Sequence, residues 1–104
     1  MFGFKKKKDK KAWAAAVLQN APDNAAAIPE EQLRMLTGNM IAQHHRIIKD
    51  SVRLVQNSNS PETREQRRLL CEEHYLEILR LEPFADAGQL MMIQECKDLV
   101  QMIE

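Results

Sequence analysis

Four side chains able to ligate metal or act as nucleophiles, His44, Cys71, His74 and Cys96, stand at spacings that a helical chain would bring to one level. His44 and His74 are each fifteen residues from Asn59, and Cys71 and Cys96 are equidistant from a second break at residues 83–84. Cys71 and His74 are also one helical turn apart. Zinc takes four tetrahedral ligands from thiolate and imidazole, and softer copper(I) accepts thiolate with a thioether such as Met40 or Met92 nearby. The paired Cys-x-x-Cys spacing of recognised zinc motifs is absent. The plainer reading needs no cofactor. A cysteine on an apolar face is usually a small buried hydrophobe, and a histidine there is often a core residue with one good hydrogen bond. We therefore expect no cofactor, with zinc or copper on His44, Cys71, His74 and Cys96 as the alternative.

Three helices would have to position these residues. From Pro29 to about Gln56 the only helix-weakening residue is Gly38, and Glu30 and Glu31 suit the positive end of a helix dipole. At 100° per residue, Leu33, Leu36, Met40, Ile41, His44, Ile47, Ile48, Ser51, Val52 and Val55 share one half of the wheel, whereas His45 falls at its edge and should face solvent. Asn57-Ser58-Asn59 reads as a turn. Ser60-Pro61-Glu62 then restarts the chain with a capping serine, a first-turn proline and an early acid. The second helix runs to about Leu81 with Leu70, Cys71, His74, Tyr75, Ile78 and Leu79 on its apolar half; Leu69 and Leu76 fall among its polar residues. Asp86 and Gln89 resemble a capping box, and Met92, Ile93, Cys96, Leu99, Val100 and Ile103 share one face of a final helix.

The expected fold class is all-α: helices at about 12–20, 30–56, 61–81 and 86–103, with an antiparallel hairpin extended into an up-down three-helix bundle, or a four-helix one if the Ala-rich first segment joins. The expected organisation is a disordered basic tail over residues 1–11, then one domain over residues 12–104. The long helix should overhang its partners near Leu33, Leu36 and Met40. A homodimer is the simplest cover for that stripe, and Trp13 with its Ala-rich helix is the cover if the chain is monomeric.

Met40-Ile41-Ala42-Gln43-His44-His45, with Ser60-Pro61-Glu62-Thr63-Arg64 and His74-Tyr75-Leu76-Glu77-Ile78, is similar to the His-His helical hairpin of ferritin-like bacterial copper-associated proteins. The similarity spans about residues 33–81. It implies copper and export. The chain departs from that pattern in a Met-to-His spacing one residue longer and in His74 at the usual Gln position, so no ligand set is carried over.

Composition narrows the function further. Apolar residues make up 44% of the 104 and charged residues 29%, the balance of a folded chain. Residues 1–11 carry six lysines against Asp9, a net +5, which leaves −5 on the remainder. The body thus lacks the basic face that nucleic acid requires, and only the Lys-rich tail, with Phe2 and Phe4, could touch an anionic membrane. The segment at residues 12–18 is short and Ala-rich for a secretory signal and precedes a poor cleavage site, so we expect a cytoplasmic protein with Cys71 and Cys96 as thiols. Three glycines form no phosphate loop, and Glu-x-x-His pairs at di-iron spacing are missing. The expected function is non-enzymatic: a helical binding or scaffold module presenting a surface to a protein partner or to itself, with the metal-binding bundle as the alternative.

Overall fold

The chain was analysed as a computed structural model that describes residues 10–19 and 23–104. It is an all-α helical bundle: α1 (Lys10–Leu18), a 3-10 turn (Ala25–Ala27), α2 (Glu30–Asn57), α3 (Pro61–Leu81), a second 3-10 turn (Glu82–Phe84) and α4 (Ala87–Gln101). Each boundary has a local cause. Pro29 precedes the first turn of α2 in an extended conformation, one position earlier than the sequence suggests. Ser60 caps α3 by accepting from the Thr63 N–H at 3.3 Å. The capping box on α4 forms as its sequence implies: the Gln89 N–H donates to Asp86 Oδ1 at 2.8 Å, and the Asp86 N–H donates to Gln89 Oε1 at 3.0 Å. Replacing Asp86 by Ala should cost about 1 kcal/mol, measurable by urea unfolding, because two orphan N–H groups lose their arrangement together. α1 ends at Gln19, whose φ of 68° turns the chain into the left-handed region.

Helices α2 and α3 form the hairpin, and α4 packs mainly on α2 and less on α3. One core joins all four helices: Leu33, Ile41, Ile48 and Val52 from α2, Cys71, Ile78 and Leu81 from α3, Ile93, Cys96 and Val100 from α4, and Trp13, Ala14 and Val17 from α1. Gly38 lets α4 approach. A Cβ there would sit 2.8 Å from Gln89 Nε2, which donates to the Arg34 carbonyl at 2.9 Å and ties the start of α4 to α2.

One expectation about the N-terminal region changes. Helix α1 begins at Lys10, so Lys10 and Lys11 are helical and do not belong to the tail; residues 1–9 lie outside the described residues. Between α1 and α2 lies the Ala25–Ala27 turn, whose Ala25 is buried in the core, while residues 20–22 lie outside the described residues. The apolar stripe that suggested a second copy is met within the chain. Leu33 is fully buried, and Trp13 from α1 lies over the adjoining turn of α2.

Candidate functional site

The short connection between α2 and α3 fixes the register of the hairpin, and that register sets His44 against His74. Their Nδ1 atoms are 2.8 Å apart, with ring centroids at 5.0 Å and planes tilted by 49°. At that separation one ring must donate and the other accept, so the pair holds a single proton between the two facing nitrogens. Burial lowers the His44 pKa first, His74 lowers it further, and Glu77 opposes them. The pair is partly buried, a polar contact at the edge of the hairpin seam.

Cys71 and Cys96 sit deeper. Both are free thiols with no exposed surface, and the Cys71 Sγ–H reaches the Ile48 carbonyl at 3.9 Å, a weak contact. Burial pushes Cys71 up to about 11 and Cys96 up to about 12, and each thiol's neighbouring charges add to the effect. Neither is a thiolate near neutrality, so the Cys71–His74 spacing does not make a nucleophile. The four side chains singled out from the sequence therefore divide into a histidine pair and a buried thiol pair. Among the described residues no three His, Cys, Asp or Glu side chains already stand together as a ligand set.

His45 departs from its expected place. It is not free in solvent: its side chain is only 15% exposed and its Nε2 is bonded to Glu95 of α4. The wheel position at the edge of the apolar arc is correct, but the edge is where α4 lies. Sequence reasoning also missed Thr37, which is fully buried, accepts from Trp13 Nε1–H at 2.6 Å and donates to the Leu33 carbonyl at 2.7 Å. The available signal was a hydroxyl residue inside the apolar arc, one turn after Leu33.

The outward half of α3 carries a different feature. Leu69 and Leu76, two full turns apart, are 52% and 61% exposed. At 100° per residue Glu62, Glu65, Glu72 and Glu73 all lie within about 60° of that row. Arg68 is held by Glu65 at 2.6 Å and Glu72 at 2.8 Å, and Arg80 by Glu77 at 3.3 Å. Five carboxylates against two paired arginines leave this face at a net −3. Between α3 and α4 a depression of about 340 Å³ is lined by Tyr75, Leu79, Leu90 and Ile93 together with the polar Glu82, Gln94 and Lys97, with Leu90 itself exposed.

No family model matches the chain, and neither a curated protein nor a solved structure does. Among the described residues no helix is long and apolar enough to cross a membrane.

Proposed function

We propose that this chain is a small non-enzymatic binding module that presents the outer face of α3 to a helical protein partner. The observation that carries the reading is the Leu69–Leu76 row, two large apolar side chains more than half exposed on one line of a stable helix. Such a row at two-turn spacing is how one helix receives another. The acidic frame selects the partner's charge: a basic amphipathic helix gains from Glu62, Glu65, Glu72 and Glu73, and a second copy of α3 would set two acidic rows against each other. Self-association through this face is accordingly disfavoured. The depression between α3 and α4, which begins at Tyr75, gives the partner a groove to follow. The reading places the module in the cytoplasm, where two free thiols are at home.

Its test uses two designed helical peptides with the same leucine seam, one flanked by lysine and one by glutamate. The Lys-flanked peptide should bind the purified protein, and Leu69→Ala with Leu76→Ala should weaken it by at least about tenfold, since truncating two central apolar contacts removes over 1.4 kcal/mol. The same double variant should unfold within about 0.5 kcal/mol of the parent, because both side chains are exposed in the free protein. Failure of both peptides to bind, or a dimer that dissociates on the double substitution, overturns the reading.

A further inference from the structure

The acidic leucine row on α3 has a complement in this chain's own sequence. Phe2 and Phe4 are followed by Lys5, Lys6, Lys7 and Lys8, and with Asp9 this stretch carries +3 against the −3 of the face. Apolar side chains beside a basic run are the chemistry that two exposed leucines framed by glutamates receive. Taking that face as the partner's docking surface, we infer that residues 2–8 bind back on it within the same molecule and hold it until a partner displaces them.

The segment leaves the fold at the right end of the helix. α1 starts at Lys10 and touches α3, and Trp13, one turn on, stacks on Phe84 just past the end of α3, with ring centroids 6.2 Å apart. From Leu81, the last residue of α3, Leu76 lies about 8 Å back along the helix, Glu73 about 12 Å and Leu69 about 18 Å. An extended chain spans up to about 3.3–3.6 Å per residue, so Phe2 can stand roughly 26–29 Å from Lys10. Passing round α3 uses about 10 Å, the diameter of a helix, and the rest still covers the row. Glu73 lies between the two leucines and is in no ion pair among the described residues, so it can take a lysine without releasing an arginine. Each such contact at an exposed face is weak. The tether makes up for that, because a segment joined through a short linker meets its target at an effective concentration on the order of millimolar. A separate partner must exceed that local competition before it occupies the face.

The test uses the full chain and changes only its charge. Lys5→Gln, Lys6→Gln, Lys7→Gln and Lys8→Gln together should shift the backbone amide resonances of residues 69–76, followed by NMR at low salt, and leave those around Cys96 in place. Raising the salt should move the same resonances in the parent and not in the Gln variant. That variant should also bind the Lys-flanked peptide about threefold to tenfold more tightly than the parent, since its face is no longer occupied. Arg in place of the four lysines should restore the parent's behaviour in both measurements. The two readouts fail separately. A peptide that binds parent and Gln variant equally, with the α3 resonances unmoved, overturns the inference and leaves the docking face standing. Resonances that move as expected support the inference even where no peptide binds, an outcome that overturns only the partner reading. Lysine-dependent retention on equimolar phosphatidylserine–phosphatidylcholine vesicles, with the α3 resonances unmoved, assigns the basic run to a membrane and likewise overturns the inference.

Discussion

Trp13→Ala should destabilise the protein by about 3–5 kcal/mol, a large share of what a domain of this size holds. Trp13 is 2% exposed, stacks on Phe84 with ring centroids 6.2 Å apart, and is the main side chain by which α1 closes the end of the hairpin. Its loss leaves a cavity that the small residues of α1, mainly alanine, cannot refill. The polar part of the effect separates cleanly. Trp13→Phe keeps most of the ring burial and loses the bond to Thr37, which still donates to Leu33, so about 0.5–1.5 kcal/mol is expected. Thr37→Val is worse on this count, because it takes the hydroxyl acceptor away from the buried indole N–H, at about 1–3 kcal/mol. Urea unfolding of the three variants gives the order, and Trp13 is the only tryptophan, so its fluorescence reports α1 docking directly. A Trp13→Ala variant within 1 kcal/mol of the parent would mean that α1 does not hold the bundle.

That anchor shows where a sequence is legible and where it stops being so. The helices of the hairpin, the capping box at Asp86 and the turn between α2 and α3, which falls at residues 58–60 and so one residue later than expected, follow from local rules, because each is decided by neighbours a few residues apart. The opposition of His44 and His74 is nearly as local. A three-residue connection allows the hairpin little slippage, and both residues lie in apolar arcs. Distances along a helix were thus readable. Angles around it were not. Equal spacing from a turn puts Cys96 level with Cys71, but it does not say on which side of the α2–α3 seam α4 will lie. α4 lies over Gly38 and His45, so His45 gains Glu95 as a partner, while the four candidate side chains form no group of three or more among the described residues. Docking of α1 was readable only as one of two covers for the stripe at Leu33, Leu36 and Met40, and its contacts were not. Trp13 and Thr37 are 24 residues apart, too far for helical periodicity to set their contact. The Leu69–Leu76 row was visible as an anomaly among polar residues, and its exposure makes that anomaly a surface.

Metal-free protein should lose stability as the pH falls below about 6.5, and the His44–His74 pair should be the reason. In the unfolded chain His44 takes up its proton at its ordinary value. In the folded protein burial and then the facing ring hold its pKa lower, with Glu77 offsetting part of the effect. Between those two values the unfolded chain binds a proton that the native state refuses, so acid favours unfolding. The sign is fixed by that difference. The contribution is complete above pH 6.5, declines as pH falls from there toward the depressed folded value, and is fully lost below it. The limiting slope for one proton is about 1.4 kcal/mol per pH unit. Urea unfolding at a series of pH values, with chelator present, measures it. His74→Gln removes the facing charge and leaves the burial of His44, so its stability should fall less steeply over the same window. Burial leads the causes, so a residual slope is expected in that variant, and one equal to the parent's would mean that the second ring contributes nothing. Carboxylate protonation adds its own loss only at lower pH, near the ordinary carboxylate values, so the window just below 6.5 belongs to histidine.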